Sequence, residues 1–276
     1  MFASSKRRRD GAARSLTSEV QVQLQISADS GAAGFAIVAG SCGNVVRLEP
    51  LGTKIAEGRD SEIFEHGPGK VLRRARDGRS LVHEADIMRY VRDRGYPAPR
   101  VYEAGDGFLV MDHIDGPTMA GAATKRPWRL SRFGRMLGDL HRRLHAIPAP
   151  AWLPEAGVAG MCLVHRDLHP LNVLISPAGP VVIDWANAAR GDQAYDVADA
   201  WVLLATAEAP GSRLERTITA FGRRILLNAF LEELDRDAAR RGIPAAVENR
   251  LADRNMTEGE KQRMRRMASW AVEGAH

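Results

Sequence analysis

Residues 163–192, LVHRDLHPLNVLISPAGPVVIDWANAARGD, gather Asp167, His169, Asn172 and Asp184 and separate them by apolar runs. Ionised carboxylates beside a core are costly unless something binds them. A divalent cation and a phosphate together meet that need. Asp167 and Asn172 stand five positions apart in a polar loop between Leu163-Val164 and the apolar run Val173 to Ile175. In phosphoryl transfer, a loop of this kind supplies a carboxylate to accept a hydroxyl proton and an amide oxygen to hold Mg²⁺. Asp184 closes the apolar run GPVVID, and a carboxylate at a strand end suits a second ligand for a hard cation. Mg²⁺ takes few protein oxygens and fills its shell with phosphates and water, so Asn172, Asp184 and ATP form a coherent set.

Such a loop needs a frame. From about residue 52, TKIAEGRDSEIFEHGPGKVLRRA reads as strand, polar turn, strand, Gly-Pro-Gly turn, strand, which is a small antiparallel sheet. SLVHEADIMRYVRDRG follows, with Ser80 as candidate N-cap, Leu81, Ala85, Met88 and Val91 at helical spacing and Gly95 as the stop. RVYEAGDGFLVMDHIDG gives two strands around Gly-Asp-Gly, and Asp115-Gly116-Pro117 breaks the pattern. Beyond residue 128 the text turns helical: Trp128 to Ile147, Asp192 to Glu208, one long run from Ser212 to Arg240, and shorter segments near 245–253 and 257–272. The expected domains are therefore an extension over 1–51, a sheet-rich lobe over 52–116 and a helical lobe over 117–276. Within the extension, Val20 to Ile26, GFAIVAG and NVVRLEP read as short strands.

The ordered combination HRDLHPLN, VVIDW and GDQAYDVA resembles the aminoglycoside phosphotransferase family, relatives of choline and homoserine kinases. The resemblance runs over about residues 52 to 272. It implies an α+β, two-lobed protein-kinase-like fold: a small antiparallel sheet with one helix, then a larger, mainly helical lobe. It also implies transfer of the γ-phosphoryl group of ATP, with Mg²⁺, to a hydroxyl of a small molecule. Carried over position by position, Asp167 is the general base, Asn172 and Asp184 bind Mg²⁺, and Asp196 braces the loop from a following helix. His165 supports the loop through hydrogen bonds, and His169 lies near the phosphates. HEADIMRYV nominates Glu84 as the ion-pair partner of the ATP-binding cation. LVMDHIDG resembles the hinge, where main-chain groups from Asp112 to Ile114 receive adenine and Met111 lines its pocket. EGRDSEIF occupies the place of the phosphate-covering turn, which brings main-chain amides around Arg59 to Ser61 toward the phosphates.

The sequence departs from the family where KVLRRA puts Arg73 in the lysine position. Arginine carries a permanent cation and can fork onto two oxygens, but it is bulkier than lysine. Strand alternation aims Arg74 to the opposite face. Arg73 is read either as the phosphate partner or as a solvated strand arginine. The second reading leaves a catalytically weak, nucleotide-binding regulator of the pseudokinase type as the alternative function. Only eight positions separate Asp184 from Asp192, too few for the activation segment that carries a peptide substrate, so a small hydroxylated acceptor is expected.

Other features carry less. The formal charge is +5, but Lys6, Arg7, Arg8, Arg9 and Arg14 against Asp10 place +4 of it in the first 14 residues. Nucleic acid is accordingly not expected as a partner except through that basic tail. No apolar run approaches the ~18 residues of a membrane span, and Cys42 and Cys162 are too few for a disulfide framework. A cytoplasmic location is the expectation. His165, Asp167 and His169 form H-x-D-x-H, and His141 and His145 make an i, i+4 pair, which together raise a metallohydrolase alternative. It lacks a full ligand set, and HRRLH reads as a solvated helix face. Trp152, Trp201 and Trp270 are expected to be core or lobe-packing residues, and the pair Glu232-Glu233 reads as a solvated helix face, with attraction of a cationic substrate to a pocket as the alternative.

Overall fold

The structure, a computed structural model of the chain, describes residues 37–39, 45–47, 52–58, 60–208, 212–252 and 256–273. The chain separates into two compact units, Met1–Leu51 and Gly52–His276. In the first, β1 (Ile37–Ala39) pairs antiparallel with β2 (Val45–Arg47), within the two stretches read as strands. The strand expected over Val20 to Ile26, the basic tail, Cys42 and Arg59 lie outside the described residues.

The second unit opens with five antiparallel strands: β3 (Lys54–Glu57), β4 (Ser61–Glu65), β5 (Lys70–Ala75), β6 (Val101–Gly105) and β7 (Phe108–Asp112). Their order in the sheet is β3-β4-β5-β7-β6. The tight return between β4 and β5 relies on Gly67 and Gly69, whose φ values of 72° and 67° lie where residues with a Cβ are strained. β5 is thereby central, with Arg73 opposite Ile63 on one side and Leu109 on the other. Helix α1 (Val82–Arg92) buries Glu84, Ala85, Ile87, Met88 and Val91. Ser80 is not its N-cap. Leu81 holds that position without a side-chain cap, and Ser80 instead bridges to Asp106 in the neighbouring strand turn.

The helical part starts with α2 (Met119–Lys125), which the sequence did not announce. Thr118 caps it by accepting from the Gly121 N–H at 3.1 Å. A 3-10 turn (Pro127–Arg129) leads into α3 (Leu130–His145). Two short antiparallel pairs then frame the polar loop: β8 (Cys162–Val164) with β11 (Ala189–Gly191), and β9 (Val173–Ser176) with β10 (Gly179–Val182). Four helices follow: α4 (Gln193–Thr206), α5 (Arg213–Leu231), α6 (Arg236–Leu251) and α7 (Glu258–Glu273). The long helix read over Ser212 to Arg240 is thus two, because Asp235 accepts from the Ala238 N–H at 2.9 Å and starts a new helix. Helix α3 lies against α5 at Gly134, where a Cβ would meet the Leu226 carbonyl and the Ala229 methyl.

One core runs through both parts, from Leu81, Met88 and Leu109 on the sheet side to Leu137, Leu163 and Phe230 among the helices. Trp185, fully buried, packs edge-on against Tyr96 at 5.6 Å and so joins the end of the 163–192 stretch to the sheet side. Trp201 is buried as expected, but Trp152 and Trp270 are about half exposed, Trp152 standing edge-on to His83 and Tyr90. Glu232 is exposed and Glu233 partly covered by α3. Among the described residues, no helix is long and apolar enough to cross a membrane.

Candidate active site

The cleft beside the polar loop has a volume of about 760 Å³ and is lined by Ser61, Arg73, Asp167, His169, Asp184 and Arg250, among others. Arg73 is 8% exposed, so the solvated reading of this residue does not hold. The pleat of β5 turns it inward, where Nη1 donates to Glu84 Oε1 at 2.6 Å and Nε to Ser61 Oγ at 3.2 Å. Its Nη2 reaches Asp184 Oδ1 at 3.4 Å, while Arg74 points the other way and pairs with Glu62. Glu84 thus meets a cation from the sheet, as the helix-strand pairing required. The same Glu84 oxygen also accepts from the Trp185 N–H at 3.2 Å, which ties α1 to the residue after Asp184. Burial raises the pKa of Glu84, the Arg73 charge opposes this, and the nearby Asp184 adds to it. Its Oε2 is buried without a hydrogen-bond partner among the described residues.

The loop itself is held from below. Arg166 and Asp184 have φ values of 62° and 65°, a left-handed conformation costing a non-glycine residue roughly 1–3 kcal/mol. Asp196, in the first turn of α4, accepts from the N–H of Arg166 at 2.7 Å and of His165 at 3.3 Å. His145 Nε2–H donates to the same carboxylate at 2.9 Å, and His141 Nδ1 lies 3.6 Å from it. Burial works against the charge of Asp196, but the two histidines outweigh it and hold its pKa well below the usual carboxylate range. His141 and His145 are therefore not a solvated face. They are buried under the loop, and the arginines between them take the exposed side. These three side chains lie close enough to hold an ion. Yet Asp196 is already occupied by His145 Nε2–H and two main-chain amides, so the carboxylate serves as a brace for the loop, while His141 Nε2–H holds the Leu168 carbonyl at 3.2 Å and its Nδ1 has no hydrogen-bond partner among the described residues. His165 is buried, donates Nε2–H to the Ile183 carbonyl at 3.2 Å and packs on Trp185. Burial depresses its pKa against the opposing pull of Asp196.

Asp167 presents its carboxylate to the cleft with both oxygens engaged. Oδ2 accepts from Asn172 Nδ2 at 3.1 Å, and Oδ1 from Arg250 Nη2 at 2.9 Å, with His169 Nε2 at 3.6 Å. Partial burial opposes ionisation, but His169 and Arg250 prevail and the carboxyl is held well below its ordinary range. Asn172 Nδ2 also donates to the Asp167 carbonyl at 2.9 Å, so the amide nitrogen faces Asp167 and the amide oxygen is the branch left for a cation. The Ile183 N–H donates to the Asn172 carbonyl at 3.0 Å, which sets Asp184 beside that loop. Asp184 is 44% exposed, and its longest-range partner, Arg73, leaves it able to bind. An amide oxygen and a carboxylate are hard donors of the kind Mg²⁺ takes, and the chemistry of the set supports no softer metal.

The residues expected to receive a nucleotide are less completely available. The N–H groups of Asp112 and His113 are spent on the carbonyls of Arg100 and Gly69, both at 2.9 Å, so of the three hinge residues Ile114 is the one whose N–H lies outside these pairings. Met111 is partly covered at the end of β7. Arg250 is the residue that sequence reasoning missed. It comes from α6, 83 positions after Asp167, and no local spacing links them. The one available signal was Asp199: Asp196 and Asp199 lie three apart in an otherwise apolar helix, and a second buried acid requires a cation of its own.

Comparison with known proteins bears on this arrangement. The sequence profile of the phosphotransferase enzyme family (APH) matches residues 52–160 and 151–240. None of the curated proteins matches the chain. Among solved structures, a gentamicin complex of APH(2")-IIa aligns with a TM-score of 0.54 and 15% identity over 83% of this chain and 91% of that one. A choline/ethanolamine kinase family protein from Mesorhizobium loti aligns with a TM-score of 0.51 and 16% identity over 82% and 87%. The GDP and kanamycin complex of APH(2")-IIia gives 0.51 and 16% over 80% and 90%. At these identities the likeness establishes the fold, a kinase-like α+β architecture.

Proposed function

Because the chain belongs to the phosphotransferase enzyme family, we propose that it transfers the γ-phosphoryl group of ATP to a hydroxyl of a small molecule. The observation that carries this reading is the convergence of Arg73, Asp184 and Asp167 on one cleft, with Asn172 bonded to the Asp167 carboxylate and Glu84 bonded to Arg73. Asp167 takes the acceptor hydroxyl as a hydrogen-bond donor and aligns its oxygen with the γ-phosphorus. As the new O–P bond forms and the bond to the β-phosphate oxygen breaks, the hydroxyl proton passes to Asp167 and then to solvent, and ADP leaves. A carboxylate held strongly ionised is a weak base, so its main contribution is orientation, in keeping with a loose transition state. Arg73, fixed by Glu84 and Ser61, offers its cation to phosphate oxygens. Asn172 and Asp184 would hold Mg²⁺, which when bound neutralises phosphate charge. Ile114 N–H at the hinge would meet the adenine edge, with Met111 beside it.

The test is a nucleotide-consumption screen with ATP and GTP across aminoglycosides, macrolides, choline-like amines and sugars, with Asp167→Ala as control. We expect at least one hydroxylated acceptor to be consumed and Asp167→Ala to lower its turnover by at least ~10²-fold with nucleotide binding retained. Unchanged turnover would falsify the role given to Asp167. The reading as a weak nucleotide-binding regulator rests on Arg73 in the lysine position. It is favoured if Arg73→Lys creates turnover that the native protein lacks.

A further inference from the structure

We infer that Arg250 is the positioning residue for Asp167, linking helix α6 to the polar loop. This rests on the reading of Asp167 as the acceptor-orienting carboxylate. Arg250 is almost fully buried and divides its guanidinium among three partners. Nε donates to Asp199 Oδ1 at 2.7 Å, and Nη2 reaches the other Asp199 oxygen. Nη2 also donates to the Arg166 carbonyl at 2.7 Å and to Asp167 Oδ1 at 2.9 Å.

Each bond has a separate consequence. Asp199, buried in α4, is the anchor: its two-point contact fixes the plane of the fork, which lysine could not reproduce. The Arg166 carbonyl is the second half of a clamp on a left-handed residue, since Asp196 already holds the N–H of Arg166. The bond to Asp167 Oδ1, with Asn172 on Oδ2, removes rotation of the carboxylate about its last bond. Asn172 alone fixes one oxygen and leaves the other free to swing. The 83-residue separation and the position on α6 mean that the orientation of the acceptor-binding carboxylate depends on how the C-terminal helices pack. Groups facing this network are Asp199 and Tyr195 from α4, and Arg166, His169 and Asn172 from the loop.

Arg250→Ala would strand Asp199 as an unpaired buried charge and is a poor probe. The pair Arg250→Gln with Asp199→Asn removes both charges together. We expect this double variant to fold, to bind Mg·ATP within about 3-fold of wild type, and to lose about 10²-fold in kcat, the usual consequence of a small misplacement at a reacting group. Arg250→Lys should lose less. In an Asp167→Ala background the same double change should cost nothing further, because its effect passes through Asp167. An equal loss in both backgrounds would overturn the assignment, as would no loss from the double change where Asp167→Ala itself lowers turnover. A crystal structure of the double variant judges the inference without any turnover. We expect the Asp167 carboxylate to rotate and Arg166 to leave its left-handed conformation. If both stay in place, Arg250 does not position Asp167, whatever the fate of the proposed reaction. If Asp167→Ala is fully active while the loop has moved, the reaction fails and the positioning role stands.

Discussion

Arg73 and Arg74 are neighbours on one strand, yet they belong to different chemistries. The pleat sends Arg73 inward to Glu84, Ser61 and Asp184, in a setting nearly closed to water. Arg74 goes outward into a solvated ladder of Glu62, Lys54, Glu57 and Arg76 across β3, β4 and β5. The two carboxylates at the centre of these networks respond in opposite directions. Burial raises the pKa of Glu84 despite its arginine, whereas Arg74 first, with Lys54 and Arg76, lowers that of Glu62. A single step along a strand therefore decides whether an arginine faces the cleft or joins a solvated ladder on the other face of the sheet. The cause of the opposite shifts is desolvation: at Glu84 loss of water disfavours the charged carboxylate by more than its arginine restores, whereas at Glu62 the cations outweigh it.

The sharpest way to break this contrast is Arg73→Ala, which removes a candidate phosphate partner and leaves Glu84 buried alone. We expect loss of about 3–5 kcal/mol of stability, read by denaturant unfolding, and near-complete loss of nucleotide turnover. A cost no larger than that of Arg74→Ala would erase the distinction. Next in size is Asp196→Ala, which frees the N–H of Arg166 and His165 and strands two histidines. Thermal unfolding should show a drop of several degrees, and turnover should fall with it.

Arg73→Lys keeps the charge but loses the fork that spans Glu84, Ser61 and Asp184. Calorimetry should show Mg·ATP affinity changed by less than about 10-fold if charge is what matters there. Acid titration sharpens the comparison by sign. Glu84 has a folded pKa above its unfolded value, so the native state binds more protons and its term is lost as pH rises through the folded pKa. Glu62 is depressed, so its term is present above the unfolded pKa and is lost as pH falls. Relative to wild type, Glu84→Gln should compare worse as pH falls toward 4.5, and Glu62→Gln better. The smallest effect belongs to Arg74→Ala: no measurable change in turnover, and a change in Tm that disappears at 1 M salt, as for an exposed pair.

Much of the fold could be read from the residues because its signals are local. The strands β3 to β7 are marked by alternation and by glycine at the turns, and α1 by apolar spacing. Helix boundaries were harder. Ser80 has the right type for a cap but is drawn into a bridge with Asp106, and the break between α5 and α6 depends on Asp235, one acid among many in that segment. His141 and His145 looked solvated because the intervening arginines are. Their burial is decided by the arrival of Asp196, 51 positions beyond His145 in the chain. Asp167, Asn172 and Asp184 could be nominated by order and spacing, and Asp196, His165 and Glu84 by the family resemblance, while Arg250, Asp199 and the buried histidines of α3 could not.

The amino-acid sequence by itself determined which groups are available for chemistry and in what order, since loop length and strand alternation fix how Asp167, Asn172 and the inward face of β5 are presented. Only the tertiary structure decided which of those groups are charged, clamped and mutually oriented. Arg250, Asp199, Asp196 and the two histidines act through contacts between helices far apart in the chain. Such contacts leave no periodic trace, because they depend on which buried charge meets which once the helices have packed.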